Sequence, residues 1–341
     1  MSTIFIESFS GISGDMFLGA LAGLSDSYDE LRNLPEFLNM SDAQVVLSEV
    51  EKNGIACKHV KITDLNPKNT HHRYLSDIIR IIENAKISEN AKKIAKEIFL
   101  IIGKSESKIH NIPLEKIHFH EISGVDSIID IVGCAVLIDK LNIRKTFATA
   151  VCTGFGFVNT QHGKLPVPAP ATADILSGIP HYAGDETGER VTPTGAAILK
   201  YLNPDFNVPS LKTSKIAYGP GEKDFISPNV LRLSLCKEHK KSDELYILET
   251  NIDDMSSEFL GIDFQEGLFK NGATDFYFTP VHMKKGRSGL LLSCTVEENK
   301  IQLLSDFVLE NTSTIGVRYY PVERNTLKRE IREYKTEYGY V

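Results

Sequence analysis

From Tyr246 onward the chain reads, in order, YILETNID, SSEFLGIDFQEGLFKNG, TDFYFTPVHM, SGLLLSCTV, NKIQLLSDFVLEN and TIGVRYYPV. The second and fifth segments carry a helical pattern, and the other four read as strands. The resulting βαββαβ order is the ferredoxin-like split arrangement, in which the first and third strands are neighbours. Polar KEHKKSDE, Lys237 to Glu244, precedes it as a linker, so we expect an N-terminal domain over 1–236, a linker over 237–244 and a C-terminal domain over 245–341. The tail RNTLKREIREYKTEYGYV adds an alternating strand, and its stop at Val341 inside that pattern points to a shortened C-terminus.

The N-terminal part opens with a buried strand, Thr3 to Phe9, then the glycine-rich turn SGISGD and the helical run MFLGALAGL. VVLSEVE and IACKHVKIT alternate around Lys52-Asn53-Gly54, a hairpin signal. Helices are expected near Tyr74–Asn84, Ser88–Ile109 and Ser123–Leu141, the last with Val125, Ile128, Ile129, Val132 and Val136 on one apolar stripe that leaves Asp126 and Asp130 outside it. TFATAVCTGFGFV reads as a strand ending in glycines, and Thr192-Pro193-Thr194-Gly195 as an exposed helix start, which favours anions. The fold class is therefore mixed, an α/β (α+β) N-terminal domain followed by a ferredoxin-like one.

At 341 residues, 42% hydrophobic and 24% charged, the chain has the composition of a two-domain soluble protein. A net charge of −7 leaves no general footprint for nucleic acid or for a membrane surface. No apolar run approaches the ~20 residues a membrane span needs, and a cytoplasmic location is expected. The five cysteines stand singly, without a C-x-x-C pair, which argues against a disulfide framework and a structural zinc site.

KIHFHEISGVDSIID, Lys116 to Asp130, concentrates His118, His120, Glu121, Asp126 and Asp130. On an extended IHFH the two histidines point to one side, and in the following helix Asp126 and Asp130 lie one turn apart. Imidazoles with carboxylates suit a borderline divalent ion such as nickel, zinc or iron. The structural alternative makes Ser123-x-x-Asp126 a capping box, which uses neither Asp130 nor the histidines.

The turn Ser10-Gly11-Ile12-Ser13-Gly14-Asp15 lies between strand and helix, where amides can approach a phosphate, although a tight turn with Asp15 as cap reads equally well. It is neither a Walker A loop nor a dinucleotide fingerprint. Asn251, Asp253 and Asp254 end the first C-terminal strand, where paired acids suit magnesium or manganese, or where Asp254 simply caps a helix at Ser256. Lys284, Lys285 and Arg287, with Arg318, supply bases that the strand order brings toward those acids. His162 and Glu189 are further candidates.

FSGISGDM, HFHEISGVDSIIDIVG, HGKLPVPAPAT, TPTGAA, YGPGEKDF, ETNIDDM, MKKGR and TIGVR together resemble the nickel-insertion family LarC, from Phe9 to about Tyr338. The resemblance implies a CTP-dependent cyclometallase of the lyase class that places nickel into pyridinium-3,5-bisthiocarboxylic acid mononucleotide, for the nickel-pincer cofactor of lactate racemase. It implies nickel delivery at His118, His120 and Glu121, with Asp126 and Asp130 as further ligands and Glu121 or His120 as the base that removes the ring proton. It implies a phosphate cradle at Ser10, Gly11, Ser13, Gly14 and Asp15. CTP with manganese or magnesium would take Asn251, Asp253, Asp254, Lys284, Lys285 and Arg287. A homo-oligomer and a recipient apo-enzyme are the expected partners. Glu7-Ser8 replaces the family's Asp-Cys, Ser288 replaces a proline, and the His-rich tract is reduced to His71-His72. The competing readings are a nickel chaperone without turnover and a metal-dependent phosphohydrolase.

Overall fold

The structure, a computed structural model, describes residues 2–66, 73–119, 124–160, 163–238, 245–324, 327, 335–337 and 339–340, with His118 described in its backbone alone. Two compact units divide the chain, Met1–His239 and Lys240–Val341. Among the described residues no helix is long and apolar enough to cross a membrane. All five cysteines are buried and free.

In the first unit β1 (Ser2–Glu7) buries Ile4 and Ile6 and leads through the glycine turn to α1 (Gly14–Ser25), which Asp26 ends in the left-handed conformation at φ 53°. The hairpin of β2 (Ala43–Lys52) and β3 (Ile55–Asp64) closes at Asn53 and Gly54, whose φ values of 49° and 81° suit a type I′ turn. Helices α2 (Leu75–Glu83), α3 (Glu89–His110) and α4 (Val125–Lys140) follow; Ser88 caps α3 by accepting from the Ala91 amide at 3.0 Å. After β4 (Ile143–Ala148) comes α5 (Pro193–Leu202), capped by Thr192, and then β5 (Leu211–Pro220) and β6 (Val230–Glu238). The sheet order is β5-β6-β1-β4, with β1 antiparallel to β6 and parallel to β4.

Two local expectations differ. The run TFATAVCTGFGFV is not one strand: β4 stops at Ala148, Val151–Cys152 pairs with His181–Tyr182, and Phe157–Thr160 pairs with Gly163–Pro166. Gly154 and Gly156, at φ 72° and 100°, take backbone conformations that interrupt an extended chain. Helix α4 is also buried well beyond its apolar stripe, because Ile131, Cys134, Ala135 and Leu137 join Ile128 and Val132 at 0% exposure. Asp126 is exposed, whereas Asp130 is drawn into the interior. Ser123 lies outside the described residues, and the N-cap of α4 is Gly124, with no side-chain cap bond.

In the second unit β7 (Leu245–Ile252), α6 (Ile262–Lys270), β8 (Ala273–Met283), β9 (Arg287–Glu297), α7 (Ile301–Asn311) and β10 (Arg318–Val322) appear in that order. The antiparallel sheet runs β8-β9-β7-β10, so β7 lies beside both β9 and β10. Leu248, Ile252, Leu292, Cys294 and Val296 form a core with Phe264 and Leu268 of α6 and Leu304 and Val308 of α7. Of the described tail residues, Lys335–Thr336 pairs with Gly339–Tyr340; the rest of the expected tail strand lies largely outside the described residues.

In the first unit α1 crosses β5 at backbone contact. A Cβ on Gly219 would stand 1.8 Å from the Met16 carbonyl oxygen and 2.7 Å from the Ala20 amide nitrogen. Gly219→Ala must therefore separate helix and strand, and we expect a loss of about 3 kcal/mol, the upper end for overpacking. Thermal unfolding of the full chain measures it, and an unchanged first-unit transition would contradict the close approach.

Candidate functional site

The starts of α1, α4 and α5 meet in the first unit. The Gly14 amide donates to the Thr194 hydroxyl at 3.2 Å, and that hydroxyl lies 2.9 Å from the Thr192 hydroxyl. A Cβ on Gly14 would come within 2.8 Å of Asp130 Oδ2 and 3.1 Å of Thr194 Oγ1. The Asp130 carboxylate is therefore packed against the first turn of α1. Its Oδ1 is shut off from solvent and has no hydrogen-bond partner among the described residues, although the residue keeps intermediate exposure at another edge.

Burial, and then the nearby charges of Asp15, Asp126 and Glu222, push the Asp130 carboxyl well above its ordinary 3.8. Asp15 is also raised, chiefly by burial, against the opposing effect of the Ser13 hydroxyl and the Met16 amide. One turn deeper on α4, the Cys134 thiol lies 3.8 Å from the Gly14 carbonyl oxygen, and burial followed by Asp130 and Asp15 raises it. Asp126 and Glu222 stand exposed at the rim. Among the described residues no cation faces Asp130 Oδ1. Among the described residues, no three His, Cys, Asp or Glu side chains stand close enough to hold a metal ion.

Of the other residues singled out in this stretch, His120, Glu121 and the His118 side chain lie outside the described residues, as does His162. Glu189 pairs with Lys223 at 3.4 Å. Three amides of the Ser10–Asp15 turn have protein partners. Gly11 donates to Ser8 O at 3.1 Å, Ile12 to Arg190 O at 2.9 Å and Gly14 to Thr194 Oγ1, while the Asp15 carboxylate takes the Met16 amide. Gly11 is demanded by its φ of 98° and by the Arg190 carbonyl oxygen, 1.9 Å from where its Cβ would lie. Glu222, Arg190 and Cys134 belong to this neighbourhood and were not foreseen as site residues. The YGPGEKDF run that contains Glu222 was the one signal that could have pointed to it.

In the second unit the acids and bases at the strand ends partly meet. Arg287 Nη1 lies 3.1 Å from Asp253 Oδ2. Arg318 donates to Glu249 at 3.1 Å and to Asn251 Oδ1 at 3.2 Å, and the Tyr320 hydroxyl lies 3.2 Å from Glu249. Asp254 accepts from the Ser313 hydroxyl, and Ser256 instead caps the following turn, accepting from the Glu258 amide at 3.4 Å. Lys284 and Lys285 are exposed, have no ion pair among the described residues, and stand in a tight turn with Lys285 at φ 64°.

The first unit gathers buried and rim acids at three helix starts, and the second unit gathers acids and bases at its strand ends. The profile described as nickel insertion protein matches residues 4–341, and the chain belongs to that family, LarC. A protein of Acetivibrio thermocellus named pyridinium-3,5-bisthiocarboxylic acid mononucleotide nickel insertion protein is 38% identical over 352 residues, covering 99% of this chain and 86% of that protein. A protein of Desulfitobacterium hafniense with the same name is 39% identical over 348 residues, again covering 99% and 86%. The solved apo LarC2 domain, the C-terminal domain of a cyclometallase in synthesis of the NPN cofactor of lactate racemase, is 37% identical over 29% of this chain and 67% of its own, with a TM-score of 0.27.

Two outcomes test the geometry. With its folded value raised, Asp130 leaves stability intact below the ordinary carboxyl range and costs stability as pH rises above it. In metal-free protein, Asp130→Asn should gain on the wild type as pH goes from about 4 to 8; parallel melting curves would show that this carboxyl bears no such cost. Gly14→Ala should displace Asp130 and Thr194 and cost about 1–3 kcal/mol. A normally stable Gly14→Ala protein would mean the contact is looser than the structure has it.

Proposed function

We propose that the protein inserts nickel, in a CTP-dependent cyclometallation, into pyridinium-3,5-bisthiocarboxylic acid mononucleotide. Its family membership supports the nickel chemistry. The observation that carries the site is Asp130, whose sealed oxygen has no partner among the described residues and whose charged neighbours there are acids. Such a group is relieved by a cation. Asp130 and Asp126 would receive nickel, the substrate ion, together with His118, His120 and Glu121 from the segment that leads into α4. Oxygen and imidazole donors hold nickel less firmly than the thiocarboxylate sulfurs of the acceptor, so transfer runs toward the product. Forming the nickel–carbon bond breaks a ring C–H bond, and Glu121 or His120 would take that proton.

The turn Ser10, Gly11, Ser13, Gly14 and Asp15 would cradle the substrate phosphate. The Gly11, Ile12 and Gly14 amides already have partners, so the phosphate would have to displace Asp15 from the Met16 amide. For the second unit we infer the ferredoxin-like fold, supported by the strand order β8-β9-β7-β10. CTP would bind there. Lys284, Lys285 and Arg287 would face the phosphates, Asn251 would serve as a polar contact, and Asp253 and Asp254 offer the hard oxygen donors that manganese or magnesium takes. That ion would neutralise triphosphate charge. A homo-oligomer and a recipient apo-enzyme complete the proposed partners, in the cytoplasm.

Asp130→Asn should lower nickel insertion by at least about tenfold while CTP affinity stays at the wild-type value. Lys285→Ala and Arg287→Ala should do the reverse, weakening CTP first, with a smaller loss at high salt, where the phosphate contacts they remove are screened. Insertion is read by mass spectrometry of the mononucleotide after incubation with nickel and CTP. CTP turnover without nickel would favour a phosphohydrolase, and nickel binding without any turnover a chaperone.

A further inference from the structure

A phosphate at the Ser10–Asp15 turn needs a counter-charge that the turn does not supply. The Gly11, Ile12 and Gly14 amides already have partners, and Asp15 adds a carboxylate. Among the described residues, two arginines are bonded to or stacked against the segment from Glu7 to Ser10. Arg190 donates to the Ser10 hydroxyl at 2.5 Å, but its side chain is 2% exposed and is spent on Glu186 at 2.8 Å and on the Ser227 hydroxyl at 3.2 Å. It is closed to a ligand. Arg232 is open, with its side chain 36% exposed.

Arg232 lies at the carboxyl end of β1. The strand register sets Glu7 opposite Arg232 of β6, and Arg232 opposite Tyr218 of β5, so the three side chains form one cross-strand row. Arg232 Nε donates to one Glu7 carboxylate oxygen at 2.6 Å, and Nη2 donates to the other. Glu7 first, against burial, and then Tyr218 favour the charged guanidinium. The Glu7 side chain is only 18% exposed, so this bidentate pair fixes the plane of the fork. Nη1 has no carboxylate partner among the described residues, and a fork held along one edge offers its other edge to an anion. Beside it the Phe9 ring, 40% exposed, has its centroid 5.7 Å from Arg232 Cζ. A cationic edge next to an open aromatic face suits a ligand that carries both a phosphate and a flat ring. The place is also one where open sheets bind ligands, beyond the carboxyl end of a strand, here β1 beside its parallel neighbour β4.

We propose that Arg232, held in place by Glu7, binds the phosphate of the pyridinium mononucleotide, and that Phe9 receives its ring. The ligand rests on the reading that this mononucleotide is the substrate; the residues rest on the contacts above.

The test measures binding of the nickel-free mononucleotide, and of its dephosphorylated nucleoside, to the full chain. Arg232→Lys keeps a charge beside Glu7 and loses the open edge. It should bind the mononucleotide about tenfold more weakly and the nucleoside as the wild type does. Phe9→Ala should weaken both ligands alike, again about tenfold. Because Arg232→Gln alone would strand the Glu7 carboxylate, the second variant joins it to Glu7→Gln and removes both charges together. That double variant should keep a melting temperature near wild type and lose the preference for the phosphorylated ligand. Unchanged mononucleotide affinity in Arg232→Lys, a loss there that the nucleoside shares, or a phosphate preference that survives in the double variant would each overturn the phosphate assignment. Wild-type binding by Phe9→Ala would overturn the ring assignment. If the wild type binds neither ligand, the substrate reading fails by itself. Inorganic phosphate, titrated into the wild type and Arg232→Lys, then decides for the guanidinium, and equal affinities would overturn it.

Discussion

An unpartnered carboxylate oxygen inside a protein is expensive, several kcal/mol if the group stays ionised, and the first unit is built around one. Asp130 is packed against Gly14 of α1, and Cys134, one turn on along α4, lies against the Gly14 carbonyl oxygen. Among the described residues its charged neighbours Asp15, Asp126 and Glu222 all add to the cost of ionising it. A fold that wanted stability alone would place an apolar residue there. On the proposed reading, a cation arriving from outside would supply the missing partner.

Much of the surrounding scaffold was legible in the sequence because its causes are local. Asn53-Gly54 specifies its turn, Ser88 and Thr192 cap their own helices, and Asn111 and Asn203 end theirs at φ values of 51° and 44°. The burial of Asp130 was not legible. A stripe of Val125, Ile128, Ile129, Val132 and Val136 predicts a one-sided helix, whereas α4 is enclosed on several sides by α1, α3 and α5. Arg190 was hidden for the same reason: Ser10 lies 180 residues away in sequence and Ser227 37, and no local pattern announces such bonds.

The glycines show how one residue type can carry two meanings. The turn SGISGD reads as a phosphate loop if its amides are free, and as a packing joint if they are not. Gly11 and Gly14 are joints in the structure, each pressed against a distant segment, and the helix-start charge that could attract a phosphate is already met by Asp15. The acid then has two neighbours to satisfy, its own helix and the pocket.

In the second unit the opposite condition holds, and it bears on what that surface can exchange. Arg287 and Asp253 are paired at 3.1 Å, yet the Arg287 side chain is 57% exposed. Exposed pairs are worth about 0–1 kcal/mol, so a phosphate could claim Arg287 and a divalent ion Asp253 at little cost. Arg318 is bound differently: it is shared by Glu249 and Asn251 on the neighbouring strand, and Tyr320 adds a third contact to Glu249. Losing it would strand the Glu249 carboxylate, whose side chain is 14% exposed. The two arginines are equally exposed, at 57% and 56%, and differ in their partners: Arg287 is paired with Asp253, whereas Arg318 is shared by Glu249 and Asn251 of the neighbouring strand.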